Sequence, residues 1–201
     1  MAMKWLGTGL LWLLLAQQAM AGTLLVVGDS ISAAFGLETR QGWVSLLDDR
    51  LREQAPQWQV VNASRSGETS AGGRARLPEL LERHAPQLLL IELGGNDGLR
   101  GQPPAQLQAN LEAMIAQGQA AGATVVLLGM QLPPNYGERY TRAFAQVYRE
   151  LAARRAVPLV PFFLEGVGGV PALMQGDGIH PNAAAQPVLL ENLWPTLAPL
   201  L

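Results

Sequence analysis

The chain contains no cysteine, which excludes disulfides, thiolate metal sites, a cysteine nucleophile and a lipid anchor on cysteine. It has two histidines, His84 and His180, too few for a site built from several imidazoles. One lysine occurs, Lys4, and charged residues make up 15% of the chain. Acidic groups outnumber basic ones by 16 to 14, so the basic surplus expected of a nucleic-acid binder is missing. No charged tail, internal repeat or low-complexity linker occurs. What is there is apolar. Hydrophobic residues form 49% of the 201 positions, which argues against a disordered chain and suffices for one well-buried domain.

The first 21 residues stand apart. Lys4 precedes an apolar run from Trp5 to Leu15, and Ala19-Met20-Ala21 follows as a small-x-small cleavage signature. This is the pattern of a secretory signal peptide cut after Ala21; the run is shorter than the roughly 20 residues of a spanning helix. Cleavage would leave one domain, residues 22–201, with 13 basic and 16 acidic groups and a net charge of −3. The expected product is exported, periplasmic or secreted, monomeric, and without a stable membrane anchor.

The rest alternates between two periodicities. Thr23 to Gly28 is a continuous apolar run ending in glycine, the pattern of a strand buried on both faces. Similar runs occur at Gln59 to Asn62, Gln87 to Leu93, Ala123 to Gly129 and Val157 to Val160. Between them, Trp43, Leu46, Leu47 and Leu51 share one helical face, as do Leu107, Leu111, Met114 and Ile115 after Pro103-Pro104. Tyr140, Phe144, Val147, Tyr148 and Leu151 form a third stripe, and helices are predicted at Gly73 to His84 and around Ala183 to Leu193. Alternating strands and helices imply an α/β fold, a mostly parallel five-stranded sheet covered on both faces. Ligands bind such sheets outside the carboxyl ends of the strands.

The segments at those ends are Gly28-Asp29-Ser30-Ile31-Ser32, Asn62 to Thr69, Gly94-Gly95-Asn96-Asp97-Gly98 and, near the C-terminus, Asp177-Gly178-Ile179-His180-Pro181. Together they hold a serine, a histidine with an aspartate nearby, and candidate oxyanion donors, the parts that acyl transfer needs.

The blocks GDS, SGET, GGND and DGIHP, in this order along nearly the whole chain after the leader, resemble the four signature blocks of the SGNH (GDSL-type) hydrolases. GDSISA, VNASRSGETS, IELGGNDGLRG and DGIHPN are most similar to the periplasmic bacterial thioesterase/lysophospholipase esterases. The resemblance implies a three-layer α/β/α, flavodoxin-like fold and hydrolysis of esters and thioesters of small-molecule acyl substrates without metal or cofactor. It implies Ser30 as nucleophile, His180 as base and Asp177 as its orienter, with an oxyanion hole from the Ser30 and Gly67 N–H groups and the Asn96 amide. Two residues depart from the pattern. Ala34 stands where the first block often carries glycine, and Arg65 stands where an apolar residue is commoner. They bear on the start of the first helix and on the polarity of one pocket wall.

The residues support the same chemistry independently. A serine hydroxyl needs a base within hydrogen-bond reach. His84 closes a predicted helix, where a histidine is favourably placed near the dipole. His180 lies in a Gly/Pro loop three residues after Asp177. That spacing lets the carboxylate hold one ring nitrogen while the other faces the serine. Pro181 biases His180 towards extended backbone. The G-x-S-x-G elbow is absent, which disfavours a lipase-type α/β hydrolase. Asp29 and Asp97 are expected to be structural, Glu165 to Gly169 an ordinary loop rather than a phosphate loop, and Trp58 and Trp194 packing residues. Leu99 to Gln102 and Leu132 to Gly137 are expected to border an acyl pocket, the first of them mobile. The competing readings are a carbohydrate-deacetylating esterase, a phosphate-binding module of flavodoxin type and an exported interaction protein.

Overall fold

The computed structural model describes residues 22–201; the expected signal peptide lies outside them. Five strands, β1 (Gly22–Gly28), β2 (Trp58–Asn62), β3 (Leu88–Glu92), β4 (Thr124–Leu128) and β5 (Leu159–Val160), form one parallel sheet in the order β2-β1-β3-β4-β5. Among the described residues six α-helices surround it: α1 (Trp43–Gln54), α2 (Ser70–His84), α3 (Gly95–Leu99), α4 (Pro104–Ala120), α5 (Glu138–Arg155) and α6 (Gln186–Leu197). Helix α1 packs with α6, and α2, α4 and α5 pack together as the second helical layer. The chain leaves β1 towards β2 and returns to place β3 on the other side of β1. That reversal opens a crevice between the carboxyl ends of β1 and β3.

The three inner strands, β1, β3 and β4, are mostly apolar and buried, as expected, but the edges differ. Residues of β2 are half-buried or exposed throughout, because nothing pairs with its outer side. Strand β5 has two residues: Pro158 has no N–H to give to the ladder, so pairing starts at Leu159. Helix α2 starts at Ser70, three residues before the predicted start, because Thr69 Oγ1 accepts the Gly72 N–H at 3.3 Å. Asn182 similarly caps a short 3-10 turn before α6, its Oδ1 accepting from Ala184 and Ala185. The core runs from Leu24–Val27 and Leu88–Ile91 into Trp43, Phe144, Tyr148 and Phe163. Trp58 and Trp194 lie against that core, partly exposed, and the Arg50 guanidinium sits 4.7 Å over the Trp194 ring. His84 ends α2 in its last turn. Among the described residues no helix is long and apolar enough to cross a membrane.

Candidate active site

Strand β1 delivers Ser30 to the crevice. The chain coils once beyond Gly28, with the Ala33 N–H on the Asp29 carbonyl and the Phe35 N–H on the Ser30 carbonyl, both at 3.0 Å. This coil ends at Ala34, whose φ of 56° is left-handed. A methyl side chain there costs about 1–2 kcal/mol, which accounts physically for glycine at this place in the family pattern.

The C-terminal loop comes back across the sheet to meet it. His180 Nε2 lies 2.9 Å from Ser30 Oγ across 150 positions of sequence. Its Nδ1 is 2.6 Å from Asp177 Oδ2, while Asp177 Oδ1 accepts the N–H groups of Ile179 and His180. The His180 N–H, the imidazole and the Ile179 N–H together hold the Asp177 carboxyl down to about 2. Pro181 pairs with Met174 in a short antiparallel bridge, and the Gln175 N–H donates to the His180 carbonyl at 2.7 Å, so the loop's path is held as the proline suggested. Two contacts here had no signal in the sequence. The Gln175 amide donates to the carbonyls of Phe35 and Pro181, tying the Ser30 and His180 loops together, and the Phe35 ring lies 4.5 Å from the imidazole.

The donors expected to face a substrate oxygen converge on the same crevice. Among the described residues the N–H groups of Ser30 and Gly67 meet no protein acceptor. Gly67 adopts φ +77°, and a Cβ there would find only the Arg100 guanidinium at 4.0 Å; backbone conformation, not space, requires glycine. Asn96 sits in the first turn of α3, a helix absent from the sequence reading, and its Nδ2 donates to Asp29 Oδ2 at 3.1 Å and to the Glu68 carbonyl at 3.0 Å. Asp29 is buried, and its Oδ1 accepts the Ile31 N–H at 3.0 Å. Burial pushes its carboxyl up to about 6, partly offset by that N–H, the nearby His180 and the Asn96 amide. Asp97 turns the other way, accepting the N–H and hydroxyl of Ser70. A further acid, Glu92 at the end of β3, is fully buried beside Asp29. Its one trace in the sequence is a charge inside the otherwise apolar run from Leu88 to Leu93.

An apolar cleft of about 370 Å³ opens beside Ile31 and Ile179, the chain neighbours of Ser30 and His180. Of the two segments expected to border it, Leu99, Leu132, Pro133 and Pro134 line it while residues 100–102 and 135–137 do not; Ile31, Met130, Phe162, Leu164, Met174 and Ile179 join them, with Gly168 and Gly169 from the loop read as ordinary. Arg65 is exposed and is not among the residues lining it. The Leu99–Gln102 segment, expected to be mobile, is tied down by tyrosines: Tyr136 donates to the Leu99 carbonyl and Tyr140 to those of Gly98 and Gln102.

Comparison with known proteins places this geometry. A family model described as the GDSL-like Lipase/Acylhydrolase family matches residues 26–187. Over 188 residues the chain is 66% identical to "Esterase TesA" of Pseudomonas aeruginosa, covering 94% of each. It is 46% identical over 188 residues to "Thioesterase 1/protease 1/lysophospholipase L1" of Escherichia coli K12, covering 94% of this chain and 89% of the other. A crystal structure described as that of TesA superposes with a TM-score of 0.87 at 66% identity, over 89% of this chain and 99% of the other.

Proposed function

The chain belongs to the GDSL-like lipase/acylhydrolase family and is a serine esterase/thioesterase, and we propose that it works through an acyl-enzyme on Ser30. The observation that carries this is the continuous relay from Ser30 Oγ to His180 Nε2, at 2.9 Å, and from His180 Nδ1 to Asp177, at 2.6 Å. In this reading Ser30 Oγ attacks the carbonyl carbon as its proton passes to His180 Nε2. Asp177 fixes the tautomer and stabilises the imidazolium. Negative charge gathers on the carbonyl oxygen, opposite the Ser30 and Gly67 N–H groups and the Asn96 amide. Both Asn96 hydrogens are engaged in the free site, so the amide rotates as a unit, exchanging or sharing one of these bonds, to face the substrate oxygen. His180 then protonates the departing alcohol or thiol. Water, deprotonated by the same nitrogen, releases the acid and restores the serine.

The acyl chain lies in the cleft lined by Ile31, Leu99 and Leu132. Its volume, about 370 Å³, is in the range of ligand pockets and favours acyl groups longer than acetyl. This supports acyl-CoA thioesters, lysophospholipids and aryl esters over the carbohydrate acetyl esters of the alternative reading. A fluorophosphonate probe tests the mechanism: it should label Ser30, and the label should vanish in His180→Ala. Equal labelling of both proteins would overturn it. We also propose, on the sequence pattern alone, that residues 1–21 direct export and that the product is a monomer beginning at Gly22. Intact mass and light scattering of the protein recovered from the periplasm or medium test both statements.

A further inference from the structure

Glu92 takes no part in the relay, yet it is fully buried at the carboxyl end of β3. The register of β1 and β3 sets it directly beside Gly28, two residues before the nucleophile. Its Oε2 accepts two hydrogen bonds, from the Asp29 N–H at 3.2 Å and from the Ser32 hydroxyl at 2.6 Å. Those donors bracket Ser30 and Ile31. We propose that Glu92 is a positioning residue: its carboxyl clamps both ends of the nucleophile turn from the neighbouring strand and so aims Ser30 Oγ at His180.

Two further observations support the clamp. A Cβ at Gly28 would stand 2.6 Å from Glu92 Oε2 and 2.7 Å from Ser32 Oγ, so the glycine opening the first block leaves the space in which the clamp closes. Glu92 Oε1 is buried without a hydrogen-bond partner, an expense that a purely structural position would avoid by carrying an apolar residue. Burial and the neighbouring Asp29 push the Glu92 carboxyl well above its usual range. A neutral carboxyl keeps the carbonyl oxygen that both donors need, which makes glutamine the conservative replacement and leucine the disruptive one.

The inference rests on Ser30 as nucleophile, and the test separates the two. Ester hydrolysis and the rate of fluorophosphonate labelling are measured for the intact protein and for Ser30→Ala, Glu92→Leu, Glu92→Gln and Ser32→Ala. Displacing a reacting group by about 1 Å costs about 10²-fold. Glu92→Leu should therefore lose about that much in kcat and in labelling rate, with KM within about twofold. Glu92→Gln should recover most of both. Ser32→Ala, which removes one of the two bonds and leaves the buried acid in place, should fall between them and keeps the test open should Glu92→Leu not fold. A folded Glu92→Leu at full kcat, a Glu92→Gln as slow as the leucine variant, or an unchanged Ser32→Ala would each overturn the clamp. Full activity in Ser30→Ala would instead overturn the nucleophile reading.

Discussion

Asp29 adjoins Ser30 and Asp177 holds His180, and their surroundings drive the two carboxyl groups in opposite directions. Asp177 stands on an exposed loop, where two backbone N–H groups and the imidazole stabilise its charge and hold it to about 2. Asp29 is buried under the nucleophile turn and is pushed up to about 6 despite its donors. By sequence Asp29 is the nearer of the two to Ser30, being its neighbour. It is nonetheless the acid near water, built into its own hydrogen-bonded turn, that is equipped to steady an imidazolium. Separated titrations of this kind mark different duties for two carboxyl groups in one site.

The widest separation should come from isosteric replacement. Asp177→Asn presents the wrong tautomer-fixing group to His180 and should cost about 10⁴-fold in kcat. Asp29→Asn keeps the Ile31 contact but sets an amide against the Asn96 amide. It should cost about tenfold, the value of one hydrogen bond. Comparable losses in steady-state assays would erase the distinction. Next in size is Asn96→Ala, expected to lose about 10²–10³-fold in kcat as an oxyanion donor. It also deprives Asp29 of a donor, so Asp29 should titrate still higher, as carboxyl NMR would report.

Stability against pH sharpens the contrast further. Asp177, lowered from 3.8 to about 2, contributes stability above pH 3.8 that is lost as pH falls through about 2. Asp29, raised from 3.8 to about 6, contributes stability below pH 3.8 that is lost as pH rises through about 6. Urea midpoints should therefore lose their rise between about pH 2 and 4 in Asp177→Asn, and their fall between about pH 4 and 6 in Asp29→Asn. The smallest effect concerns the coil that holds Ser30. Ala34→Gly relieves the left-handed alanine at φ 56° but loosens the unfolded chain, for a net gain of about 0.5–1 kcal/mol. Thermal unfolding would show it, and a lower Tm would mean the coil is not strained there.

Much of the candidate site could be read before any coordinate. Ser30, Asp177 and His180 stood out because the chain offers few groups for the work: no cysteine, and one histidine besides His84, which ends a helix. The central strands were legible because both their faces are buried, leaving runs such as Leu88–Ile91 without interruption. What escaped had weak local signals. Helix α3 is one turn of a glycine-rich segment that reads as a turn. Gln175 and Phe35 are a polar and an apolar loop residue like many others until the loops meet. Glu92 reads in sequence as the end of a strand, since the donors it serves, Asp29 and Ser32, lie in the turn beyond the neighbouring β1.

Composition and local pattern alone determined the strand and helix alternation and the short set of groups able to do acyl transfer, because periodicity, turn residues and the scarcity of nucleophiles are written along the chain; the family was legible only through the resemblance of its four blocks. Tertiary structure alone decided that Glu92 meets the turn after β1, that Gln175 ties the Ser30 and His180 loops together and that Gly168 and Gly169 join the cleft wall. Those roles depend on burial and on distances between groups far apart in sequence, and neither exists until the sheet brings the ends of β1 and β3 side by side.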